Sequence, residues 1–221
     1  MDPQSFQWDR FAKLPIIGII RNIHSDALRE ILPLYADVGL HTLEITMNTP
    51  SAPTMIREAL HTFGDRLQIG AGTVCNIREL DLALEAGARF IVTPLTDKAV
   101  IQTCVDHHIP VFPGAFTPSE VYRAWDLGAD MIKIFPATAV GPGYIRDLKG
   151  PFPQIKLVPT GGITLENCGD YLQAGASGLG MGSLLFDKKL IGAGNWEALG
   201  QRFAMLAERV AKQVAGVETG G

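Results

Sequence analysis

Cysteine is scarce in this 221-residue chain: Cys75, Cys104 and Cys168 stand far apart and form no C-x-x-C pair. That argues against a disulfide framework and a cysteine-based zinc site, favours a reducing cytoplasmic location, and leaves the three as small core residues. Clustered positive charge is also missing. The formal net charge is -4, with no basic run or arginine stripe, so nucleic acid is not expected as a partner. No apolar stretch nears the roughly 18 residues that a membrane helix needs. Met1-Asp2-Pro3-Gln4-Ser5 begins no basic-then-apolar secretion signal, so neither membrane nor export is predicted. The histidines His24, His41, His61, His107 and His108 show no metal-ligand spacing and no partnership with a serine. They read as surface or helix-end residues, and neither a metal nor another cofactor is predicted.

What is present is an ordinary globular composition, 47% hydrophobic and 19% charged. It suits one domain with a substantial core better than two small ones. Short apolar runs occur at 15–20, 42–47, 67–71, 90–93, 111–113, 131–135, 156–159 and 178–180. They start roughly every 20–27 residues, about the length of one strand-plus-helix unit. Between them lie helical stripes such as Leu28, Ile31, Leu32 and Tyr35, or Val121, Ala124 and Trp125. Several of these segments end in the same glycine phrase, at Gly39, Gly87, Gly128 and Gly175, as a left-handed C-cap requires. Ser25-Asp26, Thr117-Pro118-Ser119-Glu120 and Thr164-Leu165-Glu166-Asn167 supply N-cap chemistry at helix starts. Repetition of this unit without a linker predicts a single (β/α)8 TIM barrel spanning 1–221, its core at about 13–190. The alternative is an open doubly wound sheet, but no G-x-G-x-x-G follows the first run. Residues 4–13 carry Phe6, Trp8 and Phe11 and predict an N-terminal capping helix within 1–12 or so. Residues 195–215 read as the last helix, with Asn195 as N-cap, and 216–221 as a frayed tail.

The run Met131-Ile132-Lys133-Ile134-Phe135 places a cation inside a strand. Burying an ammonium is costly and lowers its pKa, which leaves a free amine able to attack a carbonyl carbon. A lysine whose head snorkels to the strand end is the plain alternative, and this segment alone leaves it open. In a barrel the reacting groups sit at the C-terminal ends of strands. Arg21, Glu44, Thr73, Pro94 and Lys133 all fall there, as do the glycine clusters Thr160-Gly161-Gly162 and Gly180-Met181-Gly182-Ser183. Strand alternation puts Glu44 opposite in direction to Leu43 and Ile45, and Lys133 opposite to Ile132 and Ile134. Both charges therefore belong on the inner surface, where a glutamate is the proton carrier that Schiff-base chemistry needs. The glycine clusters let backbone N–H groups approach a phosphate, with the Ser183 hydroxyl adding a donor. Arg21 offers a fork for a carboxylate, with Thr73 nearby.

At these positions the chain resembles the class I 2-keto-3-deoxy-6-phosphogluconate (KDPG/KHG) aldolase family. The resemblance rests on Leu43-Glu44-Ile45-Thr46, Gly70-Ala71-Gly72-Thr73-Val74, Ile91-Val92-Thr93-Pro94, Val111-Phe112-Pro113-Gly114, Ile132-Lys133-Ile134-Phe135-Pro136 and Pro159-Thr160-Gly161-Gly162-Ile163. It implies a TIM barrel, usually a homotrimer, acting without a metal in Entner–Doudoroff carbohydrate metabolism. It further implies Lys133 as the Schiff-base lysine and Glu44 as general acid/base. Thr73, Pro94 and Phe135 would surround the pyruvoyl group, with Thr160, Gly161, Gly162, Gly182 and Ser183 around the phosphate. The substrate is expected to be 2-dehydro-3-deoxy-6-phosphogluconate, giving pyruvate and glyceraldehyde 3-phosphate, with unphosphorylated 4-hydroxy-2-oxoglutarate as a further possibility. Many members carry an arginine four residues after the glutamate, where this chain has Asn48. The carboxylate is therefore assigned to Arg21 on charge grounds. Asn48 resembles the branch acting on the galactonate epimer and Thr160 the gluconate branch, so the C4 configuration stays open. A sugar-phosphate epimerase or decarboxylase, or a non-catalytic sugar-phosphate-binding barrel, are the competing readings.

Overall fold

The computed structural model describes residues 6–218. Its strands are β1 (Ile16–Ile20), β2 (Thr42–Thr46), β3 (Gln68–Gly72), β4 (Ile91–Val92), β5 (Val111–Phe112), β6 (Gly114–Ala115), β7 (Ile132–Ile134), β8 (Leu157–Pro159) and β9 (Leu179–Met181). Its helices are α1 (Trp8–Lys13), α2 (Ser25–Asp37), α3 (Ala52–Phe63), α4 (Ile77–Glu85), α5 (Lys98–Asp106), α6 (Pro118–Asp126), α7 (Gly141–Lys149), α8 (Cys168–Gln173), α9 (Lys188–Gly192) and α10 (Trp196–Glu218). This is an α/β fold built on parallel strands. One sheet has the order β5-β4-β3-β2-β1-β9 and the other β6-β7-β8. An isolated parallel bridge, Thr160 to Gly180, joins the end of β8 to β9.

Each of the predicted apolar runs carries a strand. The run at 111–113 is interrupted, and the chain resumes pairing at Gly114. Pro113 has no N–H to give to the ladder, so β5 pairs with β4 and β6 pairs with β7. The Pro113 carbonyl still accepts from the Lys133 N–H at 2.9 Å.

Side-chain alternation divides the core in two. Ile16, Ile20, Leu43, Ile45, Ile69, Ala71, Ile132 and Ile134 pack with the helix stripes. Ile17, Phe90, Val92, Phe112, Met131 and Val158 form a second cluster on the other face of the strands, joined by Phe6 and Phe11. Phe6 stands edge-on to Phe90 and Phe112, with ring centroids 5.3 and 6.0 Å away. Each such ring, once buried, contributes about 1.5–3 kcal/mol. Aromatics thus fill the inner face at the N-terminal ends of the strands, and the polar residues are left to the C-terminal ends.

The helix ends follow the sequence in part. Gly39, Gly87, Gly128 and Gly175 all adopt positive φ, as the repeated phrase requires. Thr117 and Glu120 form a reciprocal capping box, and Asn195 Oδ1 accepts from the Ala198 N–H at 3.1 Å. Two caps differ from expectation. His24 precedes α2 with no side-chain cap, so Ser25 is already helical. Thr164 makes a local turn, its hydroxyl accepting from Glu166 and Asn167, and α8 begins only at Cys168. Residues 216–218, expected to fray, continue α10; 219–221 lie outside the described residues, as do Gln4 and Ser5 of the predicted N-terminal helix. No described helix is long and apolar enough to cross a membrane.

Candidate active site

Lys133 lies in β7 with Ile132 and Ile134 turned toward the helices and Met131 in the inner cluster. Its side chain therefore shares the inner face, and the residue is only 3% exposed. The Nζ stands 5.2 Å from the Phe135 ring centroid. Burial pulls the amine below the ordinary lysine value. The carboxylate of Glu44 opposes that shift and the Arg21 charge adds to it.

Glu44 is fully buried on β2 between Leu43 and Ile45, which face the helices. Neither carboxylate oxygen has a hydrogen-bond partner among the described residues. A structural ion pair would show the opposite, because a buried carboxylate kept for stability is hydrogen-bonded. Burial pushes the Glu44 carboxyl above the usual carboxylate range, while Lys133 and Arg21 pull it down. Two buried groups of opposite sign thus each lean toward their neutral forms, as a proton carrier and an amine nucleophile require.

A pocket of about 270 Å³ opens beside Lys133. It brings together Arg21, Lys133, Phe135, Thr160, Gly161, Gly162, Gly182 and Ser183, eight of the residues singled out from the sequence. Arg21 extends from the end of β1, and its Nη2 donates to Thr73 Oγ1 at 3.3 Å. Thr73 has φ 56, a left-handed conformation uncommon for a β-branched residue and characteristic of functional sites. Glu44, Thr73 and Pro94 do not line this pocket. Glu44 lies against Gly72, and Pro94 lies one strand from the lysine, its carbonyl packed on Gly114, the register partner of Lys133.

Glycine is required in the second half of the pocket. Gly161 and Gly162 have φ +98 and +72, and a Cβ on Gly162 would overlap Thr138 Cγ2. A Cβ on Gly180 would overlap the Thr160 hydroxyl.

Two residues near the site escaped the sequence reading. Lys188 lines the pocket from the first turn of α9. That turn is capped by Asp187, whose carboxylate accepts from the Lys189 and Leu190 N–H groups. The signal was an Asp-Lys-Lys helix start shortly after the Gly182-Ser183 loop. Cys75 is the other. Cys104 and Cys168 are buried as expected, but Cys75 is only half-buried, and burial pushes its thiol up. It follows Thr73 and Val74 out of β3, so it belongs to the rim of the site and not to the core.

Comparison with known proteins adds to this geometry. A family model described as KDPG and KHG aldolase matches residues 9–202. A 2-dehydro-3-deoxy-6-phosphogalactonate aldolase from Escherichia coli strain K12 is 37% identical over 181 residues, 81% of this chain and 87% of that protein. A 2-dehydro-3-deoxy-phosphogluconate aldolase from Pseudomonas aeruginosa is 35% identical over 203 residues, 90% of this chain and 89% of that protein. Among solved structures, a KDPG aldolase from Legionella pneumophila, with pyruvate captured at low pH as a covalent carbinolamine intermediate, matches with a TM-score of 0.81. It is 31% identical, and the match covers 93% of this chain and 98% of that one.

Proposed function

The chain belongs to the KDPG and KHG aldolase family, and from that premise we propose that it cleaves 2-dehydro-3-deoxy-6-phosphogluconate to pyruvate and glyceraldehyde 3-phosphate, reversibly. The observation that carries the reading is a buried lysine on the inner face of the strands together with a buried carboxylate that has no hydrogen-bond partner among the described residues, each pushed toward its neutral form by burial. Lys133 Nζ attacks C2 of the substrate to give a carbinolamine, which loses water to become an iminium. Glu44 moves the protons of these steps, then takes the proton from the C4 hydroxyl. The C3–C4 bond breaks, its electron pair flows into the iminium as an enamine, and the aldehyde departs. The enamine is protonated at C3, and water releases pyruvate and restores the amine. The iminium is the electron sink, so this cycle runs without a metal or an organic cofactor.

In this reading Arg21 and Thr73 hold the carboxylate beside the forming iminium, and Phe135 and Pro94 give the methyl end an apolar wall. Gly161, Gly162, Gly182 and Ser183 receive the phosphate through backbone and hydroxyl donors, with Thr160 between the two ends. Lys188, at the same end of the pocket, adds a cation. The two sheets act as one closed eight-stranded barrel, a single domain with α1 capping the mouth that Phe6 and Phe11 fill. Parallel pairing on both sides of Pro113 and the Thr160–Gly180 bridge support closure. A homotrimer is the proposed assembly, with exposed Leu95, Phe116 and Tyr122 as apolar surface for it; sedimentation equilibrium tests this. A cytoplasmic place in the Entner–Doudoroff pathway completes the reading, supported by three free cysteines.

Incubation with pyruvate and borohydride, followed by mass spectrometry, tests the chemistry. An adduct on Lys133 is the expected result, and no adduct overturns the covalent mechanism. A second substrate, the 2-dehydro-3-deoxy-6-phosphogalactonate epimer, is favoured by Asn48 and by the Escherichia coli relative. Comparing kcat/KM for the two epimers decides between them, and 4-hydroxy-2-oxoglutarate belongs in the same assay.

A further inference from the structure

The C-terminal end of β2 is tied to the end of β1 through two side-chain hydroxyls. Thr46 Oγ1 donates to the Ile20 carbonyl at 3.2 Å. Thr46 and Thr49 hydroxyl oxygens lie 3.0 Å apart, and Thr49 Oγ1 accepts from the Asn22 N–H at 3.0 Å. A hydroxyl has one proton to give. That of Thr46 is committed to Ile20, so Thr49 donates to Thr46. The result is one directed relay, from the Asn22 N–H through Thr49 and Thr46 to the Ile20 carbonyl. Both threonines are buried. The two ends of the relay are the residues immediately before and after Arg21.

Arg21 needs such help. It is exposed, and among the described residues its guanidinium donates one hydrogen bond, to Thr73 at 3.3 Å. The regular pairing of β1 with β2 ends at Ile20 and Ile45, so the ladder does not extend to Arg21. Directly after it, Asn22 turns the chain in a left-handed conformation with φ 53, which asparagine reaches more readily than most non-glycine residues. The hydroxyl relay fixes it from the inside.

We propose that Thr46 and Thr49 are positioning residues for Arg21: their relay sets the backbone on both sides of it, so that the guanidinium meets the substrate carboxylate in one orientation. This rests on the reading of Arg21 as the carboxylate-binding residue. Neither threonine touches the reacting atoms. Loss of the relay therefore weakens capture of the carboxylate and leaves the bond-breaking steps on Lys133 and Glu44 in place.

Thr49→Val keeps the shape and removes the hydroxyl. The expected result is a rise of about tenfold in KM for pyruvate in the condensation direction, with kcat changed by less than about threefold, as for loss of one hydrogen bond acting through binding. Thr49→Ser, which restores the hydroxyl, returns KM to near the parent value. In an Arg21→Ala background Thr49→Val adds little, because the two act as one unit. If Arg21→Ala alone leaves pyruvate KM unchanged, the reading of Arg21 fails and the inference falls with it. If Arg21→Ala raises KM but Thr49→Val does not, the reading stands and the relay is overturned. Equal losses from Thr49→Val in both backgrounds, or no recovery with serine, also overturn it, since they indicate packing. Should Thr49→Val fail to fold, Thr46→Val and Thr46→Ser make the same comparison from the other end of the relay.

Discussion

The carboxylate of Glu44 occupies the space that a side chain on Gly72 would need, and a Cβ built there would overlap Glu44 Oε1 and Cδ. Gly72 closes β3 and pairs in register with Thr46, two residues beyond Glu44. The absence of one side chain therefore gives another its place. A burial this tight orders Glu44 without a hydrogen bond to either oxygen among the described residues, so neither lone-pair set is committed to the protein.

Gly72→Ala is accordingly expected to abolish most activity without altering any chemical group. Displacing a side chain in a packed site costs about 1–3 kcal/mol, and a misplaced acid/base loses about 10² in rate. The check is kcat beside pyruvate trapping. The adduct on Lys133 should still form, more slowly, while aldol cleavage collapses. Unchanged kcat would mean that Glu44 has room to move and that its packing against Gly72 is incidental.

Lys133→Met should end turnover and borohydride trapping yet raise thermal stability. The folded chain binds the Lys133 proton less readily than the unfolded chain does, because burial lowers its pKa. That difference penalises folding fully at pH below the lowered value. It shrinks as pH rises toward the ordinary 10.5, since stability increases with pH wherever the unfolded state holds more protons. Methionine removes the penalty and keeps the apolar stem. The Tm gain should be clear at pH 6–7 or so, about 2–4 °C for each kcal/mol recovered in a chain of this size, and smaller near pH 10. A lower Tm at neutral pH would show the ammonium to be stabilising.

Glu44→Gln should lower kcat by about 10² to 10⁴ with a smaller change in KM. The pH profile gives the sharper test. Glu44 is held above the usual carboxylate range, so its protonated form persists to higher pH than in water. The limb of the kcat profile that belongs to it should lie above the ordinary 4.5 and vanish in the glutamine variant. If only KM changes, the proton carrier is another group.

The positions of these groups were legible because strand alternation is a strict rule. Met131, Lys133 and Phe135 had to face away from Ile132 and Ile134, and the two core clusters divide along that line. Boundaries were less legible where one atom decides them. Pro113 lacks an N–H, and that splits a strand which hydrophobicity alone reads as continuous. Thr164 looked like a cap but spends its hydroxyl on a local turn. The Thr46–Thr49 relay was out of reach for another reason. Nothing in Thr46-Met47-Asn48-Thr49 states that its hydroxyls reach the strand that precedes it in the sheet. Lys188 escaped because a lysine in a helix start reads as solvated surface until the loop before it is folded.

The phosphate end of the pocket gives the last prediction. Substituting Gly162 would be ambiguous, since any side chain there overlaps Thr138 and disturbs the loop by packing alone. Ser183 and Lys188 are exposed pocket residues and can be truncated without that conflict. Ser183→Ala should raise KM for the phosphorylated substrate about tenfold, the cost of one charge-assisted hydrogen bond. Lys188→Ala should raise it only a few-fold at ordinary salt, because water screens an exposed charge. Neither should change the KM for pyruvate in trapping, which depends on the other end of the pocket. Ionic strength separates the two contributions: added salt should weaken the parent enzyme's affinity for the phosphorylated substrate more than that of Lys188→Ala. Equal salt sensitivity in both would remove Lys188 from the phosphate site, and equal losses for phosphorylated and unphosphorylated substrates with Ser183→Ala would remove Ser183.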